Sequence, residues 1–139
     1  MKTLTKTLTL EEELKEIFNY YNKRYKLKLK LYFDYHKSFF RPDEFINIDF
    51  DEVKQYSEFN KKRFNCNDFR ELTLTTLLHE LGHAIDHKIN KKYFLKEFKR
   101  EKKLIFSANF ISENYYSLPL EKRADKFVIK EINKWKKRS

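Results

Sequence analysis

The sequence contains very little glycine, proline, cysteine or tryptophan: its 139 residues include one Gly, two Pro, one Cys and one Trp. So few turn-forming residues argue against a loop-rich or disordered chain and favour long helices with a few strands. The single cysteine, Cys66, cannot form an intramolecular disulfide, which favours a reducing compartment. No apolar run is long enough to span a bilayer, and no signal-peptide core follows Met1. These absences predict a soluble, cytoplasmic protein without a membrane partner.

Aromatic and basic residues, by contrast, are abundant. Fourteen Phe and nine Tyr can fill a sizeable core, and the length predicts one domain over residues 1–139. The formal net charge of +10 raises the question of nucleic-acid binding. The lysines are spread along almost every segment, so a solvated lysine surface over an aromatic core is favoured. Nucleic acid remains an open but less favoured partner.

Hydrophobic periodicity and capping signals predict a mixed α+β chain. A capping box at Thr9 to Glu12 precedes a helical pattern, and alternating apolar residues then indicate strands. Residues 41–43 form a predicted turn and residues 114–119 a predicted loop. The predicted helices are 10–24, a short one around 53–59, 68–90, 91–111 and 120–137, and the predicted strands are 27–33 and 45–50.

The most informative stretch is His79-Glu80-Leu81-Gly82-His83, within the predicted helix 68–90. Two histidines four residues apart lie on one helix face, one turn apart, where their nitrogens can hold one zinc ion. The intervening Glu80 can then act as general base toward a water at the metal. The alternative is a pair of ordinary histidines on an amphipathic helix.

The helix that carries this motif needs neighbours on two sides. Its leucines form one broad apolar face, while His79 and His83 lie on the opposite side. The histidines leave water only if a second element covers them. Gly82, in the middle of the helix, costs about 1 kcal/mol relative to Ala and predicts a close backbone approach at that point.

A second constellation lies in the last predicted helix. Glu121 and Asp125 fall on its apolar face, where unpaired carboxylates would cost several kcal/mol. A zinc ion with two histidines meets that need: Glu121 can supply the third ligand, and Asp125 can accept the second ring N–H of a ligating histidine. Ala124 between them is small enough to let the two helices approach. The alternative is a pair of surface carboxylates that contact neighbouring lysines.

Together, HELGH at residues 79–83 and EKRAD at residues 121–125 resemble the gluzincin branch of the zincin metallopeptidases. The resemblance implies His79, His83 and Glu121 as ligands of one zinc ion per chain, Glu80 as catalytic base and Asp125 as partner of a zinc-bound histidine. It also implies a minimal zincin fold, in which a small sheet packs on the motif helix and the C-terminal helix supplies the glutamate. The short length and the LLHELGHAID pattern are similar to the small ImmA/IrrE-like peptidases of phages and mobile elements.

Several further residues are candidates for roles in metal binding or catalysis. His87 is a weaker candidate for third ligand, because it lies about 6 Å further along a straight helix than His83. Asp86 shares the histidine face and is a candidate for hydrogen bonding to a ligand. A donor for the tetrahedral oxyanion is expected, and the candidates are Tyr115, Tyr116, His87 and His36.

The predicted function is zinc-dependent hydrolysis of peptide bonds in a protein or peptide substrate. By analogy with zincins, the strand at 45–50 would run beside the cleft and pair with the extended substrate. Three alternatives stay open at this point. They are a catalytically idle zinc-binding regulatory protein, a basic nucleic-acid-binding module, and a nucleic-acid-associated protease of the SprT type.

Overall fold

A computed structural model describes residues 8–107, 110 and 112–136. These residues form a mixed α+β structure in which helices predominate, as the sequence predicts. In chain order the elements are α1 (Leu10–Arg24), β1 (Lys30–Tyr32), β2 (Phe39–Arg41), β3 (Phe45–Asn47), α2 (Phe50–Gln55), α3 (Ser57–Phe64), α4 (Phe69–Ile89), α5 (Lys91–Ile105), a 3-10 helix (Ser112–Ser117) and α6 (Pro119–Lys136).

Helix α1 begins and ends where the sequence predicts. The Thr9 hydroxyl accepts a hydrogen bond from the Glu12 amide at 3.1 Å, and the Glu12 carboxylate accepts one from the Thr9 amide at 2.9 Å. This reciprocal pair is the capping box, and it satisfies two backbone donors that a helix start leaves free. The apolar face of α1 buries Leu14, Ile17 and Phe18 in the core.

The sheet has three short strands in the order β1-β3-β2. Strand β3 is the central one: it pairs in parallel with β1 and antiparallel with β2. The prediction that the strand at 45–50 pairs with a substrate is therefore wrong, because both of its edges are already hydrogen-bonded within the sheet. The predicted turn is confirmed, and it joins β2 to β3 with Asp43 at φ 64° and a Glu44 amide bonded to the Arg41 carbonyl at 3.1 Å.

Helix α4 is the central element of the structure. Leu74, Leu77 and Leu81 are fully buried in the core on one side, while His79 and His83 are buried on the other. This confirms that the helix is covered on two sides. The partner on the histidine side is α6.

Gly82 and Ala124 allow α4 and α6 to lie in close contact. A Cβ atom at Gly82 would lie 3.1 Å from the Ala124 Cα and 3.2 Å from the Phe127 Cβ. Such distances are tighter than ordinary van der Waals contact, so the predicted close approach at Gly82 is confirmed. Because the helices meet at these small residues, the side chains on either side of them can reach across the interface.

Several predicted boundaries shift. The predicted strand 27–33 shortens to Lys30–Tyr32, because Lys26 and Lys28 adopt φ of 53° and 58°, which breaks the extended run. The predicted strand 45–50 ends at Asn47, and Asp49 caps α2 through the Asp51 amide. One short helix is predicted near residue 53, where the structure has α2 and α3, and strand β2 is not predicted.

In the C-terminal part, the observed element boundaries differ less from the predicted ones. Helix α5 ends at Ile105 rather than near residue 111, and residue 111 lies outside the described residues. The predicted loop 114–119 is largely a 3-10 helix, and the predicted end of the last helix, residue 137, also lies outside the described part. Among the residues described, no helix combines the length and apolar character needed to cross a bilayer.

Candidate metal centre

Helices α4 and α6 bring together three side chains that are far apart in the sequence. The Glu121 carboxylate lies 2.8 Å from His79 Nε2 and 3.2 Å from His83 Nε2. All three residues are buried, at 7%, 7% and 9% exposure for His79, Glu121 and His83. One ligand atom from each lies within 4.8 Å of the others, so this group could hold a metal ion.

The spacing of these atoms can be compared with that of a tetrahedral metal site. Ligand bonds of about 2.0–2.1 Å place neighbouring ligand atoms of such a site about 3.3–3.4 Å apart. The 3.2 Å separation between Glu121 and His83 Nε2 is near that value, while the 2.8 Å between Glu121 and His79 Nε2 is a hydrogen-bond distance that an ion would have to lengthen. His83 Nδ1 is buried without a hydrogen-bond partner among the described residues, so protein atoms alone leave the cluster incompletely satisfied. Two imidazoles and one carboxylate are also a donor set that catalytic zinc sites use.

Asp125, one turn after Glu121, contacts the outer edge of His79. Its Oδ1 lies 2.8 Å from His79 Nδ1. An ionised carboxylate only accepts hydrogen bonds, so this contact favours a proton on Nδ1, and the other ring nitrogen, Nε2, faces Glu121. The geometry is the one that the sequence analysis expects for Asp125.

Arg63, from α3, completes this edge of the cluster and was not anticipated from the sequence. Its Nε donates to Asp125 Oδ2 at 3.0 Å, and its Nη2 contacts Asp125 Oδ1. The guanidinium stacks on the ring of Tyr116, 3.6 Å from the centroid. It therefore fixes the Asp125 carboxylate against His79. No sequence signal identifies it, because α3 buries no residue and lacks an apolar face.

The ionisation of the cluster follows from these contacts. Burial lowers the pKa of His79, but hydrogen bonds to Asp125 and Glu121 outweigh it and raise the pKa to about 9. Burial raises the pKa of Glu121, yet the two histidines outweigh it and hold the pKa well below its usual range. Protein groups alone thus favour an imidazolium at His79 beside an ionised Glu121 near neutral pH.

Glu80 occupies a different environment from Glu121. It is partly exposed, and its carboxylate makes no hydrogen bond to any residue that the structure describes. Burial raises its pKa, although the neighbouring His79 and His83 act in the opposite direction. A carboxylate without a protein partner beside two histidines is available to a water or a substrate.

Asp86 does not contact the histidines. It accepts hydrogen bonds from Arg123 Nε at 2.7 Å and from the Asn90 side chain at 2.9 Å. The hypothesis that Asp86 supports a metal ligand is therefore wrong: its carboxylate is oriented toward Arg123 by a two-pronged ion pair. That arginine in turn lies over the ring of Tyr93, 4.9 Å from the centroid.

The four candidates for an oxyanion donor separate into two groups. The ring of Tyr116 lies 6.3 Å from that of His79. The ring of Tyr115 packs edge-on against the ring of Tyr116. Burial, followed by the charges of Glu121 and Glu80, raises the pKa of Tyr115, so its hydroxyl stays a donor. His36 is exposed on the connection between β1 and β2. His87 lies between Phe40 and Phe94 and outside the ligand group.

Comparisons of this chain with protein-family models, with curated proteins and with solved structures return no match.

Proposed function

We propose that the chain is a zinc-dependent peptidase of the zincin type, with His79, His83 and Glu121 as metal ligands and Glu80 as general base. The observation that carries the proposal is the contrast within one cluster. Glu121 is directed at both histidine Nε2 atoms, whereas Glu80, next to them in sequence, has no described hydrogen-bond partner. A structural cluster has no need of that second, unpartnered carboxylate.

A bound zinc ion would supply Lewis-acid polarisation of a peptide carbonyl and a water of lowered pKa. Glu80 takes the proton of the attacking water and transfers it to the leaving amine. Asp125 accepts the Nδ1 proton of His79, so that Nε2 would be the nitrogen that gives up its proton to a metal, and Arg63 holds Asp125. Tyr116, whose ring lies 6.3 Å from that of His79, and its neighbour Tyr115 are candidate donors for the developing oxyanion.

The availability of Glu80 also favours a peptidase over a catalytically idle zinc protein. A catalytically idle site needs only the three ligands. Burial raises the pKa of Glu80, so in an idle site this carboxylate would destabilise the fold without serving a purpose. Nothing in the geometry of the cluster favours the nucleic-acid-associated alternative, for which a third histidine ligand would be typical.

The test is a peptide-library digestion by the zinc-loaded protein, read by mass spectrometry, with Glu80→Gln compared with Glu58→Gln, a change at an exposed glutamate of α3. Wild type and Glu58→Gln should cleave, while Glu80→Gln should retain zinc and lose about three orders of magnitude or more in rate. Zinc binding without cleavage by the wild type would favour the idle protein. Unchanged cleavage by Glu80→Gln would refute the assigned base.

A further inference from the structure

A cavity of about 170 Å³ opens beside the candidate metal centre, between α4, the start of α5 and the sheet. Its walls combine apolar side chains, such as Leu29 and Phe40, with four polar ones, Asp43, His87, Lys88 and Lys91. This volume is close to that of one large amino-acid side chain. A mixed apolar and polar lining of this kind is typical of a site that holds and orients a ligand.

His87 is the polar group that points to a ligand. It is only 5% exposed, it lines the cavity, and its ring nitrogens make no hydrogen bond to any described residue. Burial lowers the pKa of His87, so the ring is neutral at pH 7 and offers one N–H donor and one acceptor. Neither ring nitrogen is a fully buried unsatisfied atom, so the imidazole is open to a water or a ligand that completes its hydrogen bonds.

The charges around His87 favour an anion. Lys88 and Lys91 line the cavity, and neither forms an ion pair within the described part of the chain. Asp43 is the opposing charge, so the lining carries a net charge of about +1 with His87 neutral. Two ammonium groups and one N–H donor suit a carboxylate, while the apolar wall suits the methylene groups that carry it.

The cavity lies about one helical turn from the metal centre. His87 follows His83 by one helical turn, about 6 Å along the axis of α4. The ring of Phe94 contacts both histidines: its centroid lies 6.2 Å from that of His83 and 5.3 Å from that of His87. An extended chain advances about 3.3–3.6 Å per residue, so a peptide at the metal centre reaches the cavity within about two residues.

We propose that this cavity is a specificity pocket for an acidic residue of the substrate, in which Lys88, Lys91 and His87 bind the carboxylate. The proposal rests on the proposed peptidase function, and it names the substrate class: polypeptides with a carboxylate about two residues from the scissile bond. A glutamate side chain and a chain-terminal carboxylate share this chemistry.

Binding is tested separately from cleavage. N-acetyl-glutamate N-methylamide is titrated into the full-length protein, and the His87 and Lys91 resonances are followed by NMR. The glutamine derivative is the uncharged control, and N-acetyl-leucine presents a terminal carboxylate. The glutamate derivative, N-acetyl-leucine or both should shift these resonances, with an affinity about tenfold above that of the glutamine derivative. The stronger of the two acids identifies the source of the carboxylate.

Variants of exposed residues sharpen the test without threatening the fold. Lys88→Gln combined with Lys91→Gln should weaken binding of the acid about tenfold, and Asp43→Asn should tighten it severalfold. Lys103→Gln, on α5 but outside the cavity lining, should change nothing. Equal binding of the acidic and amide probes, or binding that is indifferent to the two lysines, would overturn the proposal.

Cleavage provides the second measurement. In the library digestion, glutamate should be favoured over glutamine about two residues from the cleaved bond, and the double lysine variant should lose that preference. Carboxylate binding without any cleavage would support the pocket and count against the peptidase. Cleavage with neither the preference nor the binding would support the peptidase and overturn the pocket.

Discussion

Helix α6 buries two glutamates, and their surroundings differ in a way that separates structure from chemistry. Glu131 accepts hydrogen bonds from the Tyr21 hydroxyl at 2.7 Å and from Lys134 Nζ at 2.9 Å. The indole of Trp135 in turn donates to the Tyr21 oxygen at 2.9 Å. Glu121 is buried to the same extent, yet its nearest partners are the imidazole nitrogens of His79 and His83.

Burial of a carboxylate is therefore not by itself a sign of function. Around Glu131, the Tyr21 hydroxyl and the Lys134 ammonium group donate to the carboxylate, and the Trp135 indole donates to the Tyr21 oxygen. These hydrogen bonds form a network between α1 and α6. Around Glu121, the partners are groups that can lose a proton and bind a metal, and one ring nitrogen of His83 is left over. Two features distinguish the sites: the chemistry of the groups that contact each glutamate, and whether the hydrogen bonds of those groups are all satisfied.

The largest expected effect comes from changing Glu121 and Glu131 in turn and comparing the two variants. Glu121→Gln removes the charged ligand and should weaken zinc binding by more than about a hundredfold. Glu131→Gln should leave zinc binding unchanged and lower the free energy of unfolding by roughly 1–3 kcal/mol, because it loses charge-assisted hydrogen bonds. Zinc titration with a competing chelator and urea unfolding measure the two quantities. An equal loss of zinc in both variants would mean that Glu121 acts only through the fold.

The second prediction uses the proton on His79. Since the pKa of His79 is about 9, zinc must displace a proton from it at lower pH. Zinc affinity should therefore rise about tenfold per pH unit between about pH 7 and 9 and level off above that range. Chelator competition at fixed ionic strength measures the slope. A flat profile across this range would show that His79 does not exchange its proton for the metal.

Asp125 should have a smaller effect than Glu121, because it acts through His79. Asp125→Asn keeps the size of the side chain but loses the charge that Arg63 and His79 share, and it should weaken zinc binding about ten- to a hundredfold. Asp86→Asn is the matched control, since Asp86 pairs with Arg123 and not with a histidine. A larger effect from Asp86 than from Asp125 would contradict the assignment.

The smallest expected effect concerns the contact between α4 and α6 that positions Glu121 against the histidines. Gly82→Ala gains helix propensity of about 1 kcal/mol, but its Cβ would lie 3.1 Å from the Ala124 Cα. Overpacking against backbone costs more, so we expect a net loss of roughly 1–2 kcal/mol in the free energy of unfolding. Thermal unfolding monitored by circular dichroism measures it. A stabilised variant would show that α6 shifts easily and that Gly82 is not needed for the contact.

The parts of this fold that could be predicted are those encoded locally. The capping box at Thr9 fixes the start of α1, and the long apolar period fixes α4 to within a residue at each end. A close approach at Gly82 and a small contact residue at Ala124 were each predictable, and the structure joins the two in one contact. The two carboxylates on the apolar face of α6 pointed to a shared partner for the same reason.

The rest depends on contacts between distant segments. Strand β2 has only three residues, and nothing local distinguishes Phe39–Arg41 from a loop before β3 pairs with it. Arg63 reaches Asp125 from a helix without an apolar face, so no period in the sequence marks it. Asp86 lies on the histidine face of α4, yet Arg123, from α6, determines where its carboxylate is directed.

The central claim is that His79, His83 and Glu121 together hold one zinc ion. Elemental analysis of the purified protein, after removal of loosely bound metal, tests it most directly. We predict one zinc per chain in the wild type, in His36→Ala and in His87→Ala, and no stoichiometric zinc in His79→Ala or His83→Ala, each checked for folding by circular dichroism. Stoichiometric zinc in folded His79→Ala, or its loss from His87→Ala, would contradict the assignment of the metal centre.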